Sequence, residues 1–156
     1  MSQLILFNTI KVLTVIDCET LLELYTNPST SMSNPTSISQ TNLNKTIYTV
    51  TKDIDTMTGK PGSELNIRTD VQDKDILNLI KWRVTSLSLD TDLEAEFYEV
   101  RAINCSESLI YPPRKVESGQ SSYWLSIFIG SGKVIYDWKL KISDRFGNIL
   151  GCLSSQ

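Results

Sequence analysis

Carboxylate pairs are the residues of this sequence that could do chemistry without help from other groups. Two carboxylates that face one bond can hydrolyse a glycoside, one as the acid and the other as the nucleophile or base. Such an acid needs apolar surroundings to raise its pKa, and only Asp17, at the end of an apolar segment, meets that condition. Turns favour Asp for local hydrogen bonding, so we interpret the pairs as turn residues. The pairs are Asp17 with Glu19, Asp53 with Asp55, Asp73 with Asp75, and Asp90 with Asp92.

The lack of histidine excludes several other kinds of active site. None of the 156 residues is His, which removes His-activated serine and cysteine nucleophiles and the commonest zinc ligand. The sequence also has no P-loop, no GxGxxG and no nucleophile elbow. We therefore predict a protein that is not an enzyme, with no catalytic residues, no metal site and no cofactor. Calcium stays an open alternative, because segments 53–59 and 73–78 carry oxygen ligands, although without EF-hand spacing.

Charge and cysteine content limit the kinds of partner and the cellular compartment that we expect. The net charge is −3 and the basic residues are dispersed, which argues against a nucleic-acid partner. Lys11 interrupts the first apolar run and no basic segment precedes it, so we expect neither a signal peptide nor a membrane span. Cys18, Cys105 and Cys152 are far apart and odd in number. This pattern predicts free thiols in a reducing cytoplasm.

The clearest structural signal lies near the end of the chain. Tyr136, Trp138, Leu140 and Ile142 alternate with polar residues, which predicts a strand with one buried face. Segments 121–129, 133–143 and 149–153, joined by turns at 130–132 and 144–148, predict an antiparallel meander of three consecutive strands. Gly147 is available for the positive φ that the second turn requires.

The rest of the chain must cover this meander. Five further strands are predicted at 10–17, 46–52, 64–70, 77–89 and 95–103, while residues 18–24 are ambiguous between helix and loop. The proline-containing stretches 25–44 and 107–120 are predicted to be long loops. We predict an all-β fold, an antiparallel β-sandwich of about eight strands with jelly-roll or Greek-key character, as a single domain over residues 1–156. The strand order stays open.

Two strands are apolar on both faces and predict an interaction surface. Residues 10–17 and 123–129 each need a second sheet on one side and a loop, a ligand or another subunit on the other. In the second strand we assign Tyr123 and Leu125 to the core side, which leaves Trp124 and Phe128 as predicted interface residues. The first functional hypothesis is therefore a self-associating homo-oligomer, with two-fold symmetry as the default.

The second hypothesis is a lectin-like, carbohydrate-binding module, with calcium assistance left open. Long loops rich in Asn and Ser suit sugar hydroxyls, and an aromatic ring can stack on a sugar face. The predicted contacts are Asp17, Asn27 and Asn34 from the first loop, with Tyr111 or Trp124 as the stacking ring. The sandwich fold itself adds little to this hypothesis because it hosts many functions.

Several fragments occur together in a characteristic order. They are VLTVIDCETLL, YTNPS at 25–29, NPTSI at 34–38, GSELNIRTDVQD at 62–73, WRVTSL at 82–87, YPP at 111–113, and a closing YWLSIFI … DWKLKISDRFGNILGCLS. In this order the chain resembles the AidA/PixA family of bacterial inclusion-body proteins. The resemblance implies a small intracellular bacterial protein that accumulates in inclusions or acts in host interaction. It implies no catalytic residues.

Overall fold

Strands dominate the structure, a computed structural model that describes residues 6–51, 64–67, 76–87, 92–104, 109–119, 121–130 and 132–155. The strands are β1 (Leu6–Ile16), β2 (Thr36–Ser37), β3 (Ile47–Thr51), β4 (Glu64–Ile67), β5 (Ile76–Ser86), β6 (Glu94–Asn104), β7 (Leu109–Ser118), β8 (Ser121–Ile129), β9 (Gly132–Ser143) and β10 (Ile149–Ser154). The helices are α1 (Cys18–Leu24) and α2 (Gln40–Thr46). Two sheets share one hydrophobic core, which confirms the predicted all-β sandwich.

The first sheet, called sheet A below, has the strand order β3-β1-β5-β8-β7. Its central pair, β1 with β5, is parallel along the whole of β1, from Leu6 opposite Ile76 to Ile16 opposite Ser86. The other neighbours in sheet A are antiparallel. The sandwich is therefore mixed rather than purely antiparallel as predicted. Parallel neighbours need a long crossover, and the chain between β1 and β5 contains both helices.

The second sheet, called sheet B, is built around β9. Strand β6 pairs with β9 over residues 135–143, while the opposite edge of β9 is shared by β4 at 132–135 and β10 at 139–143. Strand β2 adds a short parallel ladder beyond β10. Because β9 has paired strands on both edges, the most regularly alternating segment of the sequence is the centre of sheet B.

The predicted three-strand meander is only partly correct. The hairpin of β9 with β10 is present, and Gly147 in its turn has a φ of 84° as expected. Strand β8, however, pairs with β5 and β7 in sheet A. The turn at Gly130 (φ 71°) carries the chain from one sheet to the other, and its carbonyl accepts a 2.6 Å hydrogen bond from the buried Asn78 amide. A short glycine turn can connect two paired strands of one sheet or two strands of different sheets. The sequence therefore did not show which of these connections follows β8.

The core contains the aromatic residues that the alternation of β9 predicts. Trp138 and Tyr136 are buried, as are their aliphatic neighbours on the same face. Phe97 of β6 stacks on Trp138 with ring centroids 4.7 Å apart. Trp82 of β5 meets the Tyr136 ring edge-on at 5.1 Å. The contact of Trp82 with Tyr136 joins sheet A to sheet B through aromatic rings.

The predicted faces of β8 are the reverse of the observed ones. Phe128 is 0% exposed and Ser126 is buried, whereas Tyr123 and Leu125 lie on the outside of sheet A. The prediction of Phe128 as an interface residue is wrong, because a ring enclosed by its own chain cannot reach a partner. Both faces of β8 are apolar, so no polar face marked the outside. The Ser126 hydroxyl is tolerated inside because it hydrogen-bonds the Tyr136 hydroxyl at 3.1 Å.

Both stretches that the prolines marked as loops contain regular structure. The first, 25–44, holds β2 and most of α2. The second, 107–120, is largely β7, whose register shifts between Tyr111 and Arg114 at the two prolines. Proline has no backbone N–H to donate to a neighbouring strand. It is tolerated in β7 because β7 is an edge strand, with a hydrogen-bonded neighbour on one side only. The ambiguous segment 18–24 is helix α1, which buries Cys18 and Leu21.

Candidate functional site

Asp17, the best catalytic candidate among the carboxylates, is the N-cap of α1. Its Oδ1 accepts a hydrogen bond from the Thr20 amide at 3.2 Å, and its Oδ2 accepts one from the Thr20 hydroxyl at 2.7 Å. An N-cap aspartate satisfies amide groups that the first turn of a helix leaves unpaired. Both carboxylate oxygens therefore make local hydrogen bonds, although at the start of a helix and not in the predicted turn.

Asn27 and Asn34 are exposed in the segment between α1 and β2. That segment runs beside β10, because the Ser29 carbonyl accepts a 2.6 Å hydrogen bond from the Cys152 amide. The Asn34 amide donates to the Ser31 carbonyl at 3.2 Å, which closes a local turn. The two asparagines thus belong to a loop that is attached to the edge of sheet B.

The two predicted stacking rings are engaged elsewhere. Trp124 is partly buried between the sheets, where its indole N–H donates to the Phe97 carbonyl at 3.2 Å. Tyr111 lies on β7, and its hydroxyl accepts a 3.0 Å hydrogen bond from Arg114. Neither ring stands free over a loop that could hold a sugar.

Two of the predicted carbohydrate contacts, Asp17 and Tyr111, lie far apart on sheet A. Asp17 follows the end of β1, where Ile16 pairs with Ser86. Tyr111 pairs with Ile127, which pairs with Leu79 of β5. Two strands separate β1 from β7, so the two residues are roughly 14 Å apart across the sheet and about 23 Å apart along it. A single ligand of ordinary size cannot span that separation.

The outer face of sheet A combines side chains from five strands, an arrangement that the sequence did not predict. Alternation of buried residues in β1 and β5 fixes which side chains point outward. Its apolar members are Phe7, Leu13, Val15, Tyr48, Val50, Leu77, Leu79, Val116, Tyr123, Leu125, Ile127 and Ile129. Its charged members are Lys11, Lys81, Arg83 and Arg114. We call these residues together the outer face of sheet A.

Parts of this face are strongly exposed in the single chain. Phe7 is 62% exposed, Tyr48 48% and Val50 54%. A groove of about 480 Å³ runs along the face, between Leu13 and Val50 on one side and the basic side chains of β5 on the other. Contiguous exposed apolar surface of this kind marks interaction sites on soluble proteins.

The cations of this face are grouped around one aromatic ring. The Lys81 ammonium lies 5.5 Å from the centroid of the Tyr123 ring, and the Arg83 guanidinium lies 5.2 Å from it. Lys11 is the cross-strand neighbour of Lys81. None of the described strand positions on this outer face carries a carboxylate. The face is therefore both apolar and positively charged.

The outer face of sheet B carries charges of both signs. Three of its described cations are paired with carboxylates across neighbouring strands. The pairs are Arg101 with Asp137 at 3.7 Å, Lys139 with Glu99 at 2.7 Å, and Lys141 with Glu96 at 3.5 Å. Glu96 is also bound by Lys115 of β7, which closes the side of the sandwich where the two sheets meet.

A second groove, of about 450 Å³, opens at the end of the sandwich and is lined mainly by oxygen-bearing side chains. Thr85, Ser122, Ser143 and Glu94 contribute to its wall. Hydroxyl and carboxylate groups of this kind can hydrogen-bond a polyhydroxylated ligand. Trp124, the predicted stacking ring, is not among the groove's lining residues.

The described cysteines carry no reactive thiolate. Cys18 and Cys152 are free and buried, as the sequence predicted, and Cys105 lies outside the described residues. Burial raises the pKa of the Cys18 thiol to about 11, and burial also raises the pKa of Cys152. Since the thiolate is the nucleophilic form, neither residue is a candidate nucleophile at neutral pH.

The part of the chain that the structure describes has neither a cluster of metal ligands nor a membrane-spanning helix. Its His, Cys, Asp and Glu side chains form no group of three or more that could hold a metal ion. The proposed calcium segment 53–59 lies outside the described residues, as do residues 73–75 of the segment 73–78. No helix in the described ranges is long and apolar enough to span a bilayer.

Comparison with known proteins identifies the family. The sequence matches the family model described as PixA, inclusion body protein, over residues 8–119, which is well over half of the chain. The chain belongs to the PixA family of inclusion body proteins. The predicted resemblance is thereby confirmed.

A solved structure shares the fold of this PixA-family chain. It is the crystal structure of an inclusion body protein (PixA) from Burkholderia cenocepacia J2315, with 19% sequence identity and a TM-score of 0.69. The match covers 96% of this chain and 91% of that one. At this identity the likeness supports the fold alone. A search among curated proteins finds no significant match.

Proposed function

We propose that this PixA-family chain is a non-enzymatic cytoplasmic protein that self-associates through the outer face of sheet A and accumulates in inclusions. The observation that carries the proposal is the exposed apolar surface of that face, with Tyr48 and Val50 about half exposed. The family description as inclusion body protein supports the same proposal.

The size of the face is adequate for a stable contact. Five strands spaced about 4.8 Å apart, with the longest near eleven residues, give a surface of roughly 20 by 30 Å. That is about 600 Å², close to the roughly 800 Å² that each partner buries in a standard protein interface. Residues at the rim of the face would supply the remainder.

The roles of the polar groups support a function without catalysis. Asp17 caps a helix, Glu96 is held by two lysines, and the Cys18 thiol is protonated because burial raises its pKa. An active site needs titratable groups that converge on one bond, and these three lie in different parts of the sandwich in structural roles.

Light scattering with one variant and one matched control tests the proposal. Val50→Glu places a carboxylate on the outer face of sheet A, and Ile103→Glu makes the same change at a side chain of similar exposure, 50% against 54%, on β6. We expect wild-type protein and Ile103→Glu to show a mass well above the monomer's 17.6 kDa at micromolar concentration. Val50→Glu should require at least about tenfold more protein to do so, because a desolvated charge costs more than about 1.4 kcal/mol. Wild-type protein that remains monomeric throughout would refute self-association.

The oxygen-lined groove at the end of the sandwich favours a second candidate, carbohydrate binding. Ser122, Ser143 and Glu94 are the groups that would bind sugar hydroxyls there. Binding of a host glycan would agree with the role in host interaction that the family resemblance implies. A glycan array, probed with calcium and again with a chelator, tests this candidate. A blank array under both conditions would eliminate it.

A further inference from the structure

We propose that the outer face of sheet A docks onto a different, acid-rich surface of a second copy, so that copies join head to tail and not about a two-fold axis. This inference rests on the self-association proposed above. It concerns the geometry of the contact, which the apolar character of the face does not determine.

The outer face of sheet A is positively charged. Lys11, Lys81, Arg83 and Arg114 all point outward from sheet A, and none of the described strand positions on this face is acidic. Tyrosines lie beside three of them: Lys81 and Arg83 lie over the Tyr123 ring, and Arg114 donates to the Tyr111 hydroxyl. These contacts order the cations, and no carboxylate at the described outer strand positions compensates their charge.

A two-fold contact would set these cations against their own copies. In an isologous interface the same patch occurs on both sides. With the two-fold axis near Lys11, Lys81 and Arg83, the cations of the two copies would lie closer together than the Debye length of about 10 Å at 0.1 M salt. Lys11 and Lys81 are already cross-strand neighbours within one copy. In a two-fold contact the repulsion between these cations therefore opposes the attraction between the apolar side chains.

The rest of the molecule carries the complementary charge. The sequence has 15 basic and 18 acidic residues. Setting aside the four basic residues of the face leaves 11 basic residues against 18 acidic ones, a formal charge of −7. Glu19 and Glu23, one turn apart on α1, are exposed, and no described cation lies within ion-pair distance of either. A contact between this face and an acidic part of the surface gains both apolar burial and charge attraction.

Head-to-tail contacts have a consequence for assembly. A heterologous interface leaves one free face and one free acceptor on every growing assembly, so growth continues unless the rotation closes a ring. An inclusion is an assembly without a fixed copy number. The proposed contact geometry would therefore produce inclusions directly, whereas a two-fold contact alone would stop at a dimer.

The sign of the salt dependence separates the two geometries. Sedimentation of the wild-type protein is compared at about 20 mM and about 300 mM NaCl, which span Debye lengths from roughly 20 Å to 6 Å. We expect the higher salt to weaken association by about threefold or more, since it screens an attraction. Association that is unchanged or strengthened by salt would overturn the head-to-tail contact, because a cationic face meeting itself gains from screening.

A mixing experiment tests the same point without depending on salt. Arg83→Glu reverses one exposed charge on the face, and Arg145→Glu makes the same change at an exposed arginine in the turn between β9 and β10 of sheet B; circular dichroism confirms that both variants fold. At one variant per roughly ten wild-type chains, Arg83→Glu should terminate growth and lower the mean mass, because its acceptor still binds wild type. Arg145→Glu should leave the mean mass unchanged. A wild-type mass that is unaffected by Arg83→Glu would contradict the inference.

These outcomes keep the two proposals apart. Wild-type protein that is monomeric at both salt concentrations refutes self-association, and this inference with it. Wild-type protein that associates more strongly at high salt leaves self-association intact and overturns only the head-to-tail contact. If Arg83→Glu does not fold, Arg114→Glu on β7 serves as the terminating variant with the same expected result.

Discussion

Two tryptophans show how differently the same residue type is used in this sandwich. Trp138 is 1% exposed, stacks on Phe97, and donates its backbone amide to the Ser155 hydroxyl at 3.0 Å. Trp124 is only partly buried and is held by a single indole hydrogen bond to the Phe97 carbonyl. The first fills the middle of the core, and the second closes its margin.

Alanine substitution of each tryptophan should reflect this difference. We expect Trp138→Ala to lower the free energy of unfolding by about 3–5 kcal/mol, because it removes a buried ring and leaves a cavity. Trp124→Ala should cost less, about 1–3 kcal/mol, since surrounding groups can approach from the margin. Urea unfolding of both variants measures the values. Equal losses would show that the margin is packed as tightly as the centre.

The buried thiol of Cys18 makes a prediction about alkaline pH. Burial raises its pKa to about 11 in the folded protein, whereas an unfolded cysteine titrates near about 8.5. A raised folded pKa contributes stability below the unfolded pKa, and that contribution disappears as the pH rises through the folded value. Wild-type stability should therefore fall between about pH 8.5 and pH 11, by on the order of 2–3 kcal/mol from this group.

Cys18→Ala isolates this effect from the other groups that titrate at alkaline pH. We expect the stability of Cys18→Ala to decline less steeply than that of wild type over the same range, measured by guanidinium unfolding in the presence of a reductant. Parallel curves for the two proteins would mean that the thiol is already solvated in the folded state.

At the scale of elements, one carboxylate ties together three strands from both sheets. Glu96 of β6 is bound by Lys115 of β7 in sheet A and by Lys141 of β9 in sheet B. Partial burial raises the pKa of Glu96, but the hydrogen bond and charge of Lys115, together with Lys141, outweigh that effect and leave the pKa below its usual range. The ionised carboxylate thus links sheet A to sheet B along one side of the sandwich.

Substitution of Glu96 should have a pH-dependent cost. Because the folded pKa is lowered, its stabilising effect is present above the unfolded pKa of about 4.3 and is lost as the pH falls through the folded value. We expect Glu96→Gln to lower stability by about 0.5–1 kcal/mol at pH 7, a modest value for a group that water still reaches. Thermal melts at pH 7 and below pH 4 should show the gap between variant and wild type closing in acid. A constant gap would indicate that the ion pairs contribute nothing.

At the scale of the whole molecule, the two outer faces of the sandwich divide the charge unequally. Sheet B pairs its cations with carboxylates across its strands. Sheet A shows four cations and an apolar surface with no carboxylate at its described outer strand positions. Only the folded sandwich assembles this face, because its residues come from all five strands of sheet A.

Association through a face that exists only in the folded state should couple to stability. A partner that binds the native form alone raises apparent stability by mass action. We expect the midpoint of thermal unfolding to rise as the wild-type protein concentration increases from about 1 to 100 µM, by a few degrees. Val50→Glu, with its face disrupted, should show a much smaller rise. A wild-type midpoint that does not change with concentration would argue against association in this range.

Local sequence patterns predicted the faces of strands where polar and apolar residues alternate. In β9 the alternation around Trp138 gave the buried side correctly, and Gly147 marked its hairpin turn. The order of short motifs gave the family, and the two described thiols, Cys18 and Cys152, were correctly expected to be free. Each of these features is decided by residues close together in the chain or by their order along it, so the sequence alone determines them.

Tertiary structure decided which strands are neighbours. It thereby also decided which residues form the outer face of sheet A. The parallel pairing of β1 with β5 and the place of β8 in sheet A depend on contacts between distant segments, which a period of two cannot report. Strand β8 is apolar on both sides, so only the opposing sheet determined that Phe128 is buried. The cations Lys11 and Lys81 are 70 positions apart in the sequence and meet only through the parallel register. The sequence therefore predicted that an apolar surface exists, and the strand order determined where that surface lies and what charge it carries.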